Sequence, residues 1–312
     1  MKNSIVFISL VSILLLSCES TKISGNPKSN EKTSAVVEIP VKTEAELYSE
    51  SVEGITLSVV SKPSYATSGN SFKVPFTVKV SGSDGQGIKD FSVIVRYPVA
   101  KENNSIQFSE TVLTTDENGI VNFNPEKTSF SCDSHIDFLP DAKSESKEVI
   151  KIAESMTVKA EYKVRTNLRS NGIIGLVDYN PKGTPLTDTL SSSLLLKNLM
   201  NKGFTGIGNF DIPRNIIDNK DSVYKHVRGM VGNSVSFLIY GTIKHVKPVY
   251  QEDGNYICEL EGNIFCMDIK TGNILYSTVK QVSAKDASDW KAINSARVKM
   301  AEELGYAINF NM

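Results

Sequence analysis

Cysteine, histidine and tryptophan are scarce in this 312-residue chain, at four, three and one. So few thiols and imidazoles exclude a disulfide scaffold and a multi-site zinc protein. Charge of one sign is also missing: 34 Lys and Arg stand against 35 Asp and Glu, for a net charge of −1. A large nucleic-acid footprint needs a basic excess, and so does a polybasic membrane patch. Beyond the first residues, no run approaches the ~18 consecutive apolar residues of a membrane-crossing helix. What remains is globular in character, with 40% hydrophobic and 22% charged residues. The length corresponds to two domains at roughly 100–200 residues each.

The first residues are a class apart. Met1-Lys2-Asn3-Ser4 precedes an apolar stretch from Ile5 to Leu16, then Ser17-Cys18. A charged start, a short apolar core and a small residue before a cleavage point read as a secretory signal, too short to span a bilayer. Leu15-Leu16-Ser17-Cys18 resembles the bacterial lipobox. That chemistry needs a thiol, because diacylglycerol is attached through a thioether and cleavage frees the Cys18 amine for a further acyl chain. Two or three acyl chains anchor stably where one does not. The expected partner of Cys18 is therefore a membrane, reached through lipid.

Residues 18–53 are rich in Ser, Thr, Lys, Glu and Asn and carry no apolar periodicity. They read as a lipidated flexible tether. From Gly54 the pattern changes to short alternating runs, such as Phe72 to Val80, Phe91 to Tyr97 and Met156 to Val164. Thr115-Asp116-Glu117-Asn118-Gly119 is a turn signal leading into Ile120-Val121-Asn122-Phe123. Six or seven strands over 54–165 predict an antiparallel β-sandwich. The run from Asp116 to Phe123 resembles the bacterial immunoglobulin-like repeats of adhesins and intimins, which implies a spacer or docking domain.

Residues 166–312 switch period. Gly172 to Asp178 is a compact apolar strand, and Leu190, Leu194, Leu195 and Leu199 follow at helical spacing until Gly203. Phe204 to Ile212 reads as a strand and 214–231 as a helix. Ser234 to Ile243, Tyr256 to Ile269 and Ile274 to Val279 read as three more strands. The last helix spans 286–304, with Trp290, Ile293, Ala296, Met300, Leu304 and Ala307 on one face. The order βαβαβββα predicts an α/β domain with a mixed sheet. The whole is then a multi-domain chain: leader 1–17, tether 18–53, immunoglobulin-like sandwich 54–165 and α/β domain 166–312.

Three signatures in this last block carry a further resemblance. They are the glycine-bearing strand Phe237 to Ile243, the Asp-x-x-Thr-Gly hairpin of Met267 to Leu275, and the alanine-bearing last helix ending Ala301-Glu302-Glu303-Leu304. Together they resemble the domain shared by the curli-secretion channel, the lipoprotein activators of penicillin-binding proteins, and the N-terminal domain of the Tol system's periplasmic protein. With the lipobox and the sandwich, the combination looks like spirochaete-type outer-membrane lipoproteins. The resemblance implies no enzyme and no cofactor. It implies a non-enzymatic adaptor or assembly factor that binds an envelope protein or copies of itself, held by lipid at the outer membrane and favouring its periplasmic face. A surface adhesin or antigen with the sandwich as stalk is the alternative. A lipid-spanning hairpin is disfavoured, because Glu259, Glu261 and Asn263 occupy one face of the long strand Tyr256 to Ile269 and the sequence offers no second unassigned hairpin.

Other candidate chemistry is thin. Cys132-Asp133-Ser134-His135-Ile136-Asp137 gathers thiol, imidazole and carboxylates, but a zinc site would need more ligands from elsewhere. A polar loop between strands is the favoured reading, and no metal is expected. Cys258 and Cys266 share strand parity with Leu260 and Ile264 and should face the core as free thiols. His226 and His245 stand alone. Gly203, Gly206 and Gly208 follow a helix and open a strand, the reverse of a phosphate cradle. Ser191-Ser192-Ser193 has no nucleophile elbow around it.

Overall fold

The computed structural model describes residues 41–102, 105–188 and 190–312. The leader, Cys18 and most of the tether lie outside these residues. The chain divides into Met1–Lys42 and Thr43–Met312, and everything that follows concerns the second unit.

That unit opens with a helix where a tether was expected. In α1 (Glu44–Ser51) Thr43 and Glu46 form a capping box: the Thr43 hydroxyl accepts the Glu46 N–H at 3.2 Å and Glu46 accepts the Thr43 N–H at 2.7 Å. The helix lies against α2 (Lys147–Ser155), a second helix absent from the sequence expectation. The Ser144 hydroxyl donates to Glu44 at 2.6 Å. The folded part therefore begins about ten residues before Gly54.

The described residues of the N-terminal half form eight strands in two sheets. One is antiparallel, in the order β1 (Thr56–Ser61), β3 (Phe76–Ser81), β6 (Ile120–Phe123). The other runs β2 (Ala66–Thr67), β8 (Val158–Arg165), β7 (Cys132–Pro140), β4 (Ser92–Glu102), β5 (Ser105–Thr114), antiparallel except for the short β2–β8 pair. The sheets share one core, because alternate residues of each point inward. Phe76, Val78 and Val80 of β3 meet Val93, Val95, Ile136, Phe138 and Tyr162 of the larger sheet. Phe76 and Tyr162 stack with ring centres 6.0 Å apart. The expected turn forms, with the Asp116 carboxylate accepting the N–H groups of Asn118 and Ile120 at 2.9 and 2.8 Å.

The C-terminal half is a single mixed sheet covered by helices on one face and in part on the other. Its elements are β9 (Ser170–Asp178), α3 (Leu190–Asn201), β10 (Thr205–Asn209), a short 3-10 turn (Arg214–Ile216), α4 (Lys220–Val231), β11 (Phe237–His245), β12 (Tyr250–Glu252), β13 (Asn255–Asp268), β14 (Ile274–Asp286) and α5 (Asp289–Asn311). The sheet order is β10-β9-β11-β13, with β12 and β14 pairing β13. β9 runs parallel to β10 and β11, and the remaining pairs are antiparallel. α3 and α5 cover one face over Phe237, Ile239, Ile264 and Cys266. α4 covers part of the other over Leu238, Tyr240 and Met267.

The element order departs from βαβαβββα by the extra strand β12, a three-residue hairpin arm set by the Asp253-Gly254 turn. β14 also runs on to Asp286, beyond Val279, because it stays paired with β13 to Tyr256. α5 starts and ends later than expected. Its buried stripe is Ala292, Ala296, Met300, Leu304 and Ala307, whereas Trp290 is 69% exposed.

The C-terminal end of α5 meets the N-terminal half. Tyr306 donates its hydroxyl to Asp133 at 2.8 Å, Lys101 donates to the Asn311 carbonyl at 2.8 Å, and Thr166 donates its N–H to the Asn309 carbonyl at 2.8 Å. No helix among the described residues is long and apolar enough to cross a membrane.

Candidate functional site

One candidate docking surface is the β13–β14 side of the C-terminal sheet. Even-numbered residues of β14, such as Tyr276, Val282 and Ala284, pack toward α5. Odd-numbered residues point the other way, and Leu275, Val279, Gln281, Ser283 and Lys285 are exposed. Among the described residues β14 pairs only with β13, so one edge of a 13-residue strand is open. Such an edge presents unpaired N–H and C=O groups to any extended partner.

The face beside it is polar. Gln281 donates to Glu261 at 2.8 Å across the β13–β14 pair. Lys247 pairs with Glu259 at 3.1 Å, and the Tyr250 hydroxyl donates to the same carboxylate at 2.9 Å. Hydrogen bonding from Lys247, then from Tyr250, holds the Glu259 carboxyl below the usual carboxylate range. Glu259 and Glu261 thus lie on the uncovered face, as their strand parity predicts.

A second cluster sits at the carboxyl end of β9, where the strand order reverses around it. Asp178 is fully buried. Its two oxygens accept the Ser191 hydroxyl at 2.5 Å and the Ser191 N–H at 3.1 Å, and Arg297 approaches to 3.9 Å. Ser192 accepts the Leu176 N–H at 2.9 Å. These serines tie the first turn of α3 to β9, and no imidazole hydrogen-bonds either hydroxyl among the described residues. A buried carboxylate capping a helix from a neighbouring strand leaves no mark in sequence, and sequence reasoning missed it.

His245 stands beside Cys258, with Nδ1 to Sγ at 3.7 Å. Burial, then the nearby Arg297 charge, holds the imidazole below its ordinary value, and burial pushes the Cys258 thiol up to about 11. At neutral pH the pair is thiol and neutral imidazole, the unreactive combination. Cys266 is buried in the same core, and its thiol is likewise raised by burial.

The Cys132–Asp137 stretch is corrected. It is the start of strand β7, not a loop, so Cys132 and His135 point to opposite faces. Cys132 is buried in the core between the two N-terminal sheets, which pushes its thiol up to about 12. His135 lies outside, 3.4 Å from Asp137 and beside the Phe108 ring. No group of three His, Cys, Asp or Glu side chains is placed to hold a metal ion among the described residues. His226 packs edge-on to Phe210, Gly203 ends α3 and Gly206 lies within β10.

Residues 171–309 match the family model described as TP0693-like lipoprotein, C-terminal domain. The matched stretch is under half of the chain and coincides with β9 through α5. It supports a bacterial lipoprotein. No curated protein matches the sequence. Among solved structures, the PelC dodecamer from Paraburkholderia phytofirmans is 14% identical over 44% of this chain and 89% of that one, with a TM-score of 0.29. A minor lipoprotein from Acinetobacter baumannii is 8% identical over 45% and 90%, with a TM-score of 0.29. Lipoprotein GNA1162 from Neisseria meningitidis is 10% identical over 42% and 98%, with a TM-score of 0.23.

Proposed function

We propose that this chain is a lipid-anchored envelope lipoprotein acting as a non-enzymatic adaptor or assembly factor. Cys18 carries the lipid, and the C-terminal half binds a protein partner along the open edge of β14. The observation that carries the reading is the lipoprotein family match over 171–309, falling on the half whose long edge strand is unpaired among the described residues. The buried thiols and the helix-capping Asp178 have structural roles of their own. The lipid on Cys18 holds the protein at the outer membrane, facing the periplasm, and the two-sheet half is an immunoglobulin-like spacer.

Two measurements on cells test this. Wild-type protein should partition into detergent, and Cys18→Ala should leave it uncleaved or in the aqueous phase with its folded halves intact. A Cys18→Ala protein that has lost its leader and still partitions into detergent would refute the anchor. Protease added to intact cells should spare the protein, and opened cells should lose it. Removal from intact cells would favour the second reading, a surface adhesin that presents the N-terminal half, whose own edge strand β5 is open among the described residues.

A further inference from the structure

A pocket of about 340 Å³ lies between the loop after β9 and the first half of α5. That is the low end of the range for small-ligand sites. The loop leading into it is fixed over residues 178–186. The Asn180 side chain accepts the N–H groups of Lys182 and Thr184 at 2.9 Å each, Leu186 returns its N–H to the Asp178 carbonyl at 2.8 Å, and Arg214 donates to the Leu186 carbonyl at 2.9 Å. The helix wall is a stripe of three residues, Trp290, Asn294 and Arg297, spaced four and three apart and so on one face.

Two features of that stripe bear on what the pocket could hold. Arg297 has a side chain only 13% exposed, yet its guanidinium makes no hydrogen bond among the described residues. Its ion-pair partner among the described residues is Asp178 at 3.9 Å, its charge also lies near His245 and Cys258, and the Asp178 oxygens are already engaged by Ser191. A guanidinium offers five donors in a planar fork that matches a carboxylate. Trp290 is the chain's only tryptophan and is 69% exposed at the pocket rim. An indole face held open to water beside polar groups suits the apolar face of a sugar ring. Asn294, Thr187 and Asp188 supply donors and acceptors for hydroxyl or acetamido groups.

We propose that this pocket binds a carboxylate-bearing pyranose sugar, with its ring on Trp290, its hydroxyl or acetamido groups on Asn294, Thr187 and Asp188, and its carboxylate on Arg297. The site is separate from the β14 edge and does not depend on the protein-partner reading.

The single tryptophan makes the test local. Full-length protein in detergent micelles is titrated with N-acetylmuramic acid, N-acetylglucosamine and acetate while tryptophan emission is followed. Saturable quenching or blue shift is expected with N-acetylmuramic acid, and at least about tenfold weaker response with each of the others, because each lacks the carboxylate or the ring. Asn294→Ala, on a half-buried position, should fold as wild type by circular dichroism and weaken the acidic sugar severalfold. Arg297→Gln should abolish the preference for the acidic sugar. No saturable change, equal response to N-acetylglucosamine, or an Asn294→Ala variant that folds and binds as wild type would each overturn the proposal.

Discussion

The two halves of this protein solve the burial problem differently. In the N-terminal half the three-stranded sheet has one covered face, so β3 alternates buried and half-buried residues from Phe76 to Ser81, whereas α2 lies against β7 of the larger sheet, where Ile136 to Pro140 are all buried. In the C-terminal half helices lie on both faces, so β9 is buried without a break from Gly172 to Asp178 and β11 from Phe237 to Ile243. Alternation marks a one-sided sheet and a continuous apolar run marks a two-sided one. Glycine differs as well. The N-terminal half uses it at turns, whereas Gly172 lies within a strand under Phe237, where a Cβ would fall 2.1 Å from the ring.

Core truncation should break the symmetry most strongly. In the two-sided β11, adjacent substitutions Phe237→Ala and Leu238→Ala should each cost about 2–5 kcal/mol in urea unfolding. In the one-sided β3, Phe76→Ala should cost about 3–5 kcal/mol, but Lys79→Ala should stay within about 0.5 kcal/mol. If Leu238→Ala were as mild as Lys79→Ala, the second face of the sheet would not be a core.

The glycines sharpen the contrast at smaller scale. Gly172→Ala should cost about 1–3 kcal/mol through overpacking against Phe237. At Gly69, with φ 84°, an added Cβ would meet nothing within 4 Å. Alanine there should cost only the strain of a left-handed backbone, about 1–2 kcal/mol. Melting curves of the two variants separate these origins, because Phe237→Leu should partly rescue Gly172→Ala and leave Gly69→Ala unchanged.

Smaller still is the pH response of His245. Its folded value lies below the ordinary one, so the unfolded chain binds the proton more tightly. Stability from this group is complete above about 6.5, the ordinary histidine value, and declines as pH falls from there through the folded value. His245→Asn should flatten that slope. A slope of opposite sign would mean that His245 is charged in the fold.

The thiols give a count in place of an energy. Cys132, Cys258 and Cys266 are free and buried, so a thiol reagent at neutral pH should find none in the native lipoprotein and three after denaturation. A fourth reactive thiol would be an unmodified Cys18.

Much of the fold was legible in the sequence because its strongest periodicities match its burial. The alternating strands, the apolar β9 and β11, and the Asp-x-x-Thr-Gly hairpin all form. In the hairpin, Asp268 accepts the Lys270 and Thr271 N–H groups at 2.6 and 3.1 Å. Two helices escaped notice for different reasons. α1 has almost no apolar stripe, although Thr43 and Glu46 carry the capping-box spacing that could have announced it. α2 interrupts a run of strands and buries only Val149 and Ala153. The candidate sites were less legible. Trp290 sits at the right spacing for the stripe of α5 yet is exposed beside the loop after β9. Asp178 and Arg297 are charges whose burial depends on residues brought from α3 and α5, and no local pattern encodes that meeting.

Both halves leave an edge strand open among the described residues, β5 in one and β14 in the other, and the proposed function assigns partner binding to β14. The most direct test places a photoreactive amino acid at Val279 on β14 or at Val112 on β5, both more than half exposed, and irradiates native envelopes. A discrete protein adduct is expected from position 279 and none from position 112. An adduct from position 112 alone would contradict that assignment and move binding to the N-terminal half.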